Sequence, residues 1–373
     1  MKLMIVVPSM RGGGAERVIL TLLQNIDRNK FDITLVLVKK EGRYLAFIPN
    51  DIKIIDLNLS SAKRSIFKIA HIIRKNKPDI VFSTLGYMNL LLSIVKLIVP
   101  KSILFIARES SIVSNNLIQQ EKFTVLFNFL YRYFYSRLDI VICQSEYMKQ
   151  DLINNFDLSE KKIRVINNPV NFQVIQDESN FDNRMSLLYK TGINVLSVGG
   201  LSKVKGFDKL IQASTLLESN YHLTIMGEGK EENNLINLVK KLGLEDRVTF
   251  IGFKNNPYKY MRQADVLVLS SKYEGFPNVL LEANVCGTPV VAFNCPGGVA
   301  EIIENGVNGF LVENQNIEKL ASTIIDAVHF DFDSLIIKQL AYERYEAQQQ
   351  VSKYENIFYE MKFCKKKLDK NAS

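Results

Sequence analysis

Two glutamates stand eight positions apart in a segment that could place both of them beside a phosphate-bearing ligand. Glu274 is followed by a glycine and by Pro277, and Glu282 falls within the apolar stretch that comes next. Proline suits the first turn of a helix and Gly287 suits its left-handed stop, so Glu282 is predicted about one turn inside a short helix. The N-terminus of a helix presents free N–H groups that attract anions. One carboxylate can then hold sugar hydroxyls, the loop can hold phosphate, and the second carboxylate can accept ribose hydroxyls.

The same segment could also be an ordinary loop, helix and strand that carries two glutamates on its surface. That alternative explains the glycine and the prolines but not the whole run, in which Glu-Gly-Phe-Pro-Asn occupies residues 274–278. Together with Glu282, this run resembles the E-x7-E signature of retaining glycosyltransferase family 4. The resemblance implies that Glu274 positions the donor sugar and that Glu282 binds ribose. It also implies nucleotide-sugar contacts from the residues that follow the first glutamate, namely Gly275, Phe276, Pro277 and Asn278.

A lysine in a second segment matches the family's clamp for the donor diphosphate. Residues 199–206 resemble the element G-R-L-x-x-x-K-G, in which Lys205 matches the lysine but Gly200 takes the place of the arginine. Charge must still be offset there, because the leaving group becomes more negative in the transition state. We hypothesise that Lys203 or Arg11 helps to offset it. An ordinary solvated loop lysine is the alternative for Lys203.

Two glycine turns offer backbone that can lie close to a ligand. Gly13 and Gly14 stand in a glycine cluster between the first strand-like run and an apolar helix, where backbone can approach a phosphate. Gly227 and Gly229 follow a strand and open a helix. The resemblance implies that the first turn approaches the donor diphosphate or the acceptor, and that the second lies near the base and the ribose. Tight turns without a ligand are the alternative for both.

Arg108 and Glu109 follow a strand-like run in the first half of the chain. Many members of the family have a histidine near this point, beside the donor sugar, whereas none of the three histidines of this chain lies there. The resemblance implies that Arg108 and Glu109 take its place as catalytic residues, as in a subgroup that transfers hexoses or N-acetylhexosamines to polysaccharide intermediates. A surface salt bridge is the alternative. The positions of the histidines disfavour a Ser-His-Asp or Cys-His mechanism.

Twelve strand-like apolar runs, separated by helical patterns, position these motifs. Near-continuous runs of Val, Ile and Leu indicate parallel sheets that are covered on both faces. The runs form two series, which predicts an α/β chain with two Rossmann-like domains whose ligands bind at the carboxyl ends of the strands. The predicted strands are residues 2–7, 32–38, 79–83, 103–106, 140–143 and 163–166 in the first series and residues 195–198, 223–226, 248–251, 266–269, 289–293 and 310–312 in the second.

Domain boundaries are predicted where this alternation is interrupted. A chain of 373 residues is long enough for two domains of ~150 residues each. We predict an N-terminal acceptor-binding domain at residues 1–170, a linker at 171–191, a nucleotide-sugar-binding domain at 192–341 and a C-terminal helix at 342–373. The resemblance implies the GT-B fold, in which two Rossmann-like domains face each other across a cleft that holds the donor. It also implies that the last helix crosses back to the first domain.

Charge and cysteine content restrict the partners and the compartment. Residues 1–172 contain 25 Lys and Arg against 14 Asp and Glu, a net charge of +11, whereas the remainder has a net charge of −3. A basic half suits anionic lipid or a phosphate-linked acceptor, and a merely basic surface is the alternative. Nucleic acid is not expected, because no recognised binding motif accompanies the charge. The four cysteines lack metal-site spacing, which favours free thiols in a reducing compartment.

Two segments could rest on a bilayer, although none is expected to span it. The longest apolar stretch, residues 85–99, contains Asn and Lys and falls short of the ~18 apolar residues of a spanning helix. Residues 1–8 have the pattern of a strand and not that of a signal peptide. A predicted helix at 123–137 is aromatic nearly all round, and basic residues flank an apolar helix face at 63–77; the alternatives are a buried helix and a solvated basic face. We expect a cytoplasmic protein, peripheral at the cytoplasmic face of the plasma membrane.

We therefore expect a retaining glycosyltransferase that moves a hexose or N-acetylhexosamine to a saccharide acceptor in surface polysaccharide biosynthesis, such as that of capsule or O-antigen. A UDP-sugar donor and a polyprenyl-diphosphate-linked acceptor are implied by the resemblance alone. The scheme uses no cofactor and no metal ion. Two alternatives remain: a sugar-nucleotide epimerase or phosphorylase on the same fold, and a non-catalytic partner of another transferase. Only Gly200 supports the partner protein, and no residue pattern supports the other enzymes.

Overall fold

The chain divides into two compact units, each of which is described by itself. The computed structural model describes residues 1–59, 65–118, 124–180, 188–189 and 191–371. Unit 1 comprises Met1–Pro169 and Ala347–Ser373, and unit 2 comprises Val170–Glu346. Unit 1 is therefore made from both ends of the sequence.

Unit 1 is built on a seven-stranded parallel sheet. Its strands are β1 (Lys2–Val7), β2 (Asp32–Leu37), β3 (Lys53–Asp56), β4 (Ile80–Thr84), β5 (Leu104–Arg108), β6 (Ile140–Cys143) and β7 (Ile163–Val165). They lie in the order β3-β2-β1-β4-β5-β6-β7, so the direction of winding reverses between β1 and β4. The central strands β4, β5 and β6 are buried at every position, as expected of a parallel sheet with helices on both faces.

Seven α-helices belong to the described part of unit 1, and the last of them completes its core. They are α1 (Gly14–Asn25), α2 (Ile66–Asn76), α3 (Gly86–Val95), α4 (Val113–Ile118), α5 (Thr124–Tyr135), α6 (Glu146–Phe156) and, from the end of the chain, α15 (Ala347–Asn371). The ring of Phe358 on α15 packs edge-on against Phe82 and Phe31, with ring centroids 5.5 and 5.9 Å apart. Burial of one such ring stabilises a fold by about 1.5–3 kcal/mol, so α15 is an integral element of unit 1.

Unit 2 is built on a six-stranded parallel sheet in the order β10-β9-β8-β11-β12-β13. Its strands are β8 (Ile193–Val198), β9 (Tyr221–Met226), β10 (Val248–Phe250), β11 (Val266–Leu269), β12 (Val290–Phe293) and β13 (Gly309–Val312). Its helices are α7 (Phe172–Ser179), α8 (Phe207–Ser214), α9 (Glu232–Lys241), α10 (Tyr258–Gln263), α11 (Asn278–Cys286), α12 (Val299–Ile302), α13 (Ile317–His329) and α14 (Ser334–Tyr345). The winding reverses between β8 and β11.

The predicted α/β class is confirmed, and all twelve predicted strands are present with ends displaced by at most two residues. One strand was missed, β3 at the edge of the first sheet. Lys53 and Asp56 at its ends are exposed and its two isoleucines are only half-buried. An edge strand of this kind has no continuous apolar run, which is the pattern that reveals a strand buried on both faces.

Helices lie at both junctions between the two units in the sequence. Helix α7 lies within the predicted linker, and its Phe172 and Ile175 are buried in the core of unit 2. Residues 181–187 and 190 lie outside the described residues. At the other junction, α14 ends at Tyr345 within unit 2 and α15 begins at Ala347 within unit 1, so the predicted helix at 342–373 corresponds to two helices.

Candidate active site

Lys205 and Glu274 meet at the edge of the second sheet where its winding reverses. Lys205 follows β8 and Glu274 follows β11, which are neighbouring strands. The Lys205 Nζ lies 2.5 Å from Glu274 Oε1, and Ser271 Oγ donates a hydrogen bond to the same oxygen at 2.6 Å. Ligands of open α/β sheets bind where the winding reverses, beyond the carboxyl ends of the strands. The structure therefore places a positioned carboxylate and an ammonium where a ligand is expected.

This ion pair is only partly open to solvent, with 27% of the Lys205 side chain and 12% of the Glu274 side chain exposed. Partial exclusion of water strengthens the interaction of both charges with a ligand. The neighbouring thiol of Cys295 is buried, and burial, followed by the charge of Glu274, raises its pKa to about 12. The thiol is therefore protonated at neutral pH and is a poor nucleophile.

A close backbone approach holds the lysine loop against the glutamate loop. Gly206 has a φ of +63°, and a Cβ added there would lie 2.0 Å from the carbonyl oxygen of Ser270. The Lys272 N–H donates to the carbonyl of Val204 at 2.8 Å, and Ser270 Oγ donates to the carbonyl of Lys205 at 3.1 Å. Only glycine combines this conformation with this contact. Lys205 thus sits on a turn that is fixed to the segment leading from β11 to Glu274.

The loop that carries Glu274 is itself paired with a second loop. The Glu274 N–H donates to the carbonyl of Pro296 and the Gly298 N–H donates to the carbonyl of Gly275, each at 3.0 Å. The side chain of Phe276 points into the core, where its ring packs edge-on against Tyr345 with centroids 5.7 Å apart. Phe276 therefore anchors the loop through its side chain, and only its backbone can contact a ligand.

The helix that carries the second glutamate has the predicted limits. Helix α11 begins at Asn278, directly after Pro277, and stops at Gly287, whose φ is +83°. Glu282 lies inside this helix, about one turn from its start, and is 6% exposed. Both glutamates are thus largely buried, which does not fit the alternative of two surface glutamates.

The glycines of the turn at 227–229 are required by backbone contacts within unit 2. Gly227 has a φ of +146°, and a Cβ added to it would lie 1.9 Å from the carbonyl oxygen of Gly199. A Cβ on Gly229 would lie 2.2 Å from the carbonyl oxygen of Leu201. This turn therefore packs directly on the loop that leads to Lys205, at the carboxyl end of the neighbouring strand β9. Its glycines have a structural reason to be there, whatever ligand lies beside them.

Gly200, by contrast, has no structural requirement for glycine. Its φ is outside the left-handed region, and the nearest atom to an added Cβ would be the carbonyl oxygen of Glu228 at 3.9 Å. Lys203 is exposed on the same short turn as Lys205. A Cβ at this position would thus meet no close contact, and a second lysine follows three residues later.

Replacing Gly200 by arginine is expected to lower the Kd for UDP about 10-fold, since a hydrogen bond to a charged group contributes about 1.5–3 kcal/mol. Isothermal titration of UDP into the folded variant measures this change. Gly200→Ala, which adds bulk without charge, is expected to leave the Kd within about twofold of the unaltered protein. An unchanged Kd in the arginine variant would contradict the predicted role of this turn in binding the diphosphate.

The first glycine turn begins a helix at the carboxyl end of β1. Gly13 precedes α1 and Gly14 is its first residue. A Cβ on Gly13 would meet only the movable carboxylate of Glu16, at 2.6 Å. Arg11 is 73% exposed, and its Nε donates to Glu41 Oε1 at 2.8 Å. The arginine proposed to assist with phosphate therefore already has a carboxylate partner.

Arg108 is fully buried inside unit 1 and is not part of a surface ion pair. Its guanidinium donates to Tyr354 Oη at 3.1 Å, to Thr84 Oγ1 at 3.1 Å and to Asn168 Oδ1 at 2.5 Å. These partners come from α15, from β4 and from the segment after β7. Arg108 therefore ties the sheet to the last helix, and direct contact with a substrate would require its side chain to become exposed.

Glu109 is also buried, and only one of its two carboxyl oxygens accepts hydrogen bonds. Asn89 Nδ2 donates to its Oε1 at 2.9 Å, the Tyr135 hydroxyl donates to the same oxygen, and its Oε2 has no hydrogen-bond partner. Burial raises the pKa of Glu109, partly offset by these two hydrogen bonds. The predicted catalytic pair thus lies inside unit 1, and the surface alternative is wrong for both residues.

One residue that contacts the Lys205–Glu274 pair was not predicted. Ser271 bonds to Glu274, and its only signal in the sequence is its place just beyond a buried strand.

An Asp-x-Asp spacing, which bears on the expectation of no metal, occurs at Asp331 and Asp333. The Asp333 carboxylate caps α14 by accepting from the N–H groups of Leu335 and Ile336. Within the described residues no group of three or more His, Cys, Asp or Glu could hold a metal ion, and no helix could cross a membrane.

Two family models match the two halves of the chain. The model for Glycosyltransferase Family 4 matches residues 12–174, and the model for Glycosyl transferases group 1 matches residues 179–344. A relative from Campylobacter jejuni, N-acetylgalactosamine-N,N'-diacetylbacillosaminyl-diphospho-undecaprenol 4-alpha-N-acetylgalactosaminyltransferase, is 31% identical over 326 residues, which are 84% of this chain and 87% of the relative. The amylovoran biosynthesis glycosyltransferase AmsD of Erwinia amylovora is 28% identical over 323 residues, 85% and 87% of the two chains.

Solved structures share the fold. HepE from Anabaena, determined in complex with UDP, superposes with a TM-score of 0.80 at 21% identity, over 96% of this chain and 100% of HepE. The apo lipopolysaccharide outer core galactosyltransferase WaaB superposes with a TM-score of 0.73 at 20% identity, over 97% of this chain and 100% of WaaB. These likenesses concern the architecture alone.

Proposed function

Because the chain belongs to glycosyltransferase family 4 and has the GT-B fold, we propose that it transfers a hexose or N-acetylhexosamine from a UDP-sugar with retention of anomeric configuration. The single observation that carries this proposal is the Lys205–Glu274 pair, held with Ser271 at the point where the winding of the second sheet reverses. A carboxylate beside an ammonium suits a sugar linked to a diphosphate. The carboxylate can accept hydrogen bonds from the sugar hydroxyls, and the ammonium can offset the negative charge of the diphosphate.

In the proposed reaction the bond between the anomeric carbon and the diphosphate oxygen breaks as the acceptor oxygen bonds to the same face of that carbon. The acceptor's proton passes to the departing diphosphate, which leaves as UDP. Lys205 moves from Glu274 to the diphosphate and offsets its growing charge, together with N–H groups at the start of α11. Glu274 holds the sugar hydroxyls and supports the positive charge that develops on the ring, while Glu282 accepts the ribose hydroxyls. The proposed scheme requires no metal ion.

Related proteins support the choice of donor and acceptor. HepE has been determined with UDP and with UDP-glucose, which supports a uridine nucleotide as the carrier. The name of the Campylobacter relative refers to a diphospho-undecaprenol substrate, and the Erwinia relative is named for amylovoran biosynthesis. We infer a polyprenyl-diphosphate-linked saccharide as the acceptor and surface polysaccharide biosynthesis as the process.

The decisive experiment measures nucleotide release from a panel of UDP-, GDP- and ADP-sugars with polyprenyl-diphosphate-linked saccharides as acceptors. Turnover is expected with one UDP-sugar, and NMR of the product is expected to give the same anomeric configuration as the donor. Release from a GDP- or ADP-sugar alone would overturn the choice of carrier, and an inverted product would overturn the mechanism.

Gly200 in the place of the family's arginine favours one other function, that of a non-catalytic partner of another transferase. That function predicts no turnover with any donor, whereas the paired Lys205 and Glu274 favour an active site. UDP binding with no turnover across the full acceptor panel, restored by addition of a second transferase, would support the partner protein.

We also infer a peripheral contact with anionic membrane through α5. Phe129 and Tyr133 are exposed on this helix and stacked, with centroids 5.9 Å apart, and the Arg137 guanidinium lies 3.8 Å from the centroid of the Tyr133 ring. Phe67 on α2 is exposed as well. Aromatic rings beside cations suit the headgroup region of a bilayer. Phe123, Lys63 and Arg64, which belong to the predicted membrane segments, lie outside the described residues.

Replacing Phe129 and Tyr133 together by serine is expected to weaken binding to phosphatidylglycerol-containing vesicles at least about 10-fold. Each ring that leaves water contributes about 1.5 kcal/mol or more, and serine removes both rings. Co-sedimentation with vesicles measures the effect, and Phe253→Ser, which removes an exposed ring of unit 2, is the matched control. Equal partitioning of the double variant and the unaltered protein would contradict this contact.

A further inference from the structure

The first sheet reverses its winding between β1 and β4, and the glycine turn of Gly13 and Gly14 lies at this point. Helix α1 begins beyond β1 and helix α3 begins beyond β4, so both N-termini lie at this edge of the sheet. Leu85, between β4 and α3, has a φ of +75°. A bulky residue in that region of backbone space is strained, and such strain is concentrated at functional sites. The conformation of Leu85 sets the direction in which the chain enters α3, which begins at Gly86.

Tyr87, in the first turn of α3, presents an aromatic ring at this edge. It is 53% exposed, although aromatic side chains are usually more deeply buried. Burial raises the pKa of its hydroxyl, the negative charge of Glu16 raises it further, and the positive charge of Arg11 lowers it. Arg11 is bonded to Glu41, which also pairs with Lys39. One anion, Glu16, and one cation, Arg11, therefore act on Tyr87, a balance that suits a neutral polar ligand better than a diphosphate.

A buried polar cluster fixes the turn from which Tyr87 projects. The Tyr135 hydroxyl donates to Glu109 and lies 3.3 Å from the carbonyl oxygen of Gly86. A Cβ on Gly86 would lie 2.6 Å from the Tyr131 hydroxyl and 3.4 Å from Glu109 Oε2, the oxygen that has no partner. The start of α3 is thus packed onto Glu109 with no room for a side chain. This arrangement gives the buried Glu109 a role beneath the surface that Tyr87 occupies.

We propose that Tyr87 is an acceptor-binding residue, whose exposed ring stacks against the face of a neutral sugar of the saccharide acceptor at the β1–β4 edge of unit 1. The inference rests on the proposed transferase function and names a contact for its acceptor. Sugar rings present a face of C–H groups that packs on aromatic rings, and their hydroxyls can bond to the side chains of Glu16 and Arg11. The donor's diphosphate is assigned to unit 2, at Lys205.

Tyr87→Ala and Tyr87→Phe, made in the full chain, test this contact. Saturation-transfer NMR with methyl glycosides of glucose, galactose and their N-acetylamino forms measures sugar binding without turnover. The alanine variant is expected to bind the preferred glycoside about 3- to 10-fold more weakly, the range of a single aromatic contact, and the phenylalanine variant within about twofold of the unaltered protein. In transfer assays the KM for acceptor rises by the same factor, whereas the KM for donor does not change.

Tyr147→Ala is the matched control, since Tyr147 is comparably exposed in the first turn of α6 at the same edge of the sheet, beyond β6. The proposal is overturned if the unaltered protein binds none of the glycosides or if Tyr87→Ala leaves their binding unchanged. It is also overturned if Tyr87→Ala and Tyr147→Ala weaken glycoside binding equally. UDP titration of the same samples reports on unit 2 separately. If the unaltered protein binds UDP but no glycoside, only this inference is contradicted. If the unaltered protein does not bind UDP, the proposed function is contradicted.

Discussion

Replacing Glu274 by alanine is expected to lower kcat for sugar transfer by about 10²- to 10³-fold, the usual effect of removing one pre-positioned polar group from a reacting centre. Lys205 and Ser271 hold this carboxylate in place before any ligand binds. Binding of UDP alone is expected to change little, because the nucleotide carries no sugar for Glu274 to hold. Initial rates with the donor identified in the panel, together with the Kd for UDP, measure both effects.

Glu318→Ala provides the control, because Glu318 is an exposed glutamate in the first turn of another helix of the same unit, α13. Its kcat is expected to match that of the unaltered protein. Glu282→Gln is expected to differ in kind: it raises the donor KM through the ribose contact and lowers kcat less than Glu274→Ala does. A Glu274→Ala enzyme that retains its kcat would remove this residue from the reacting centre.

Replacing Lys205 by methionine is expected to lower kcat/KM for the donor by about 10²-fold, because the leaving diphosphate loses the cation that offsets its charge. Methionine keeps most of the length of the side chain. The fold is expected to lose only about 1 kcal/mol of stability, since a partly exposed ion pair contributes little to the free energy of unfolding. Urea unfolding monitored by circular dichroism separates this loss from the loss of activity.

The double variant of Lys205 and Glu274 sharpens the test. The two side chains are 2.5 Å apart and act on the same ligand, so the free-energy effects of their single replacements are not expected to add. Lys203→Met, on the same turn, is expected to lower kcat/KM for the donor by no more than about 10-fold if that lysine assists with the diphosphate. Strict additivity of the two single effects would mean that Lys205 and Glu274 work on separate parts of the reaction.

Local sequence pattern was enough to predict the segment from Glu274 to Gly287 and most of both sheets. The end signals of α11 are single residues with strong backbone preferences, Pro277 and Gly287, so the limits of this helix could be read directly. Strands buried on both faces could be found because each is a continuous apolar run. Strand β3 lacks such a run, which is why only tertiary pairing with β2 reveals it.

The surroundings of single side chains could not be predicted in this way. Arg108 and Glu109 look like surface residues by type, yet both are buried, because their partners come from distant parts of the chain such as Tyr354 and Tyr135. The exposure of Tyr87 is likewise invisible in the sequence, where it is one aromatic residue in an apolar run. Burial of a charged residue depends on long-range contacts, and no local pattern encodes those.

The membership of α15 in unit 1 has a consequence for the order in which the protein is made. Val351, Tyr354 and Phe358 belong to the same core as the strands β1 and β4, but more than 260 residues separate them along the chain. Unit 2 is continuous and has all of its residues once Glu346 has left the ribosome. Unit 1 begins first and is completed last, so the part of its core that α15 covers stays exposed during synthesis until the end of the chain has been made.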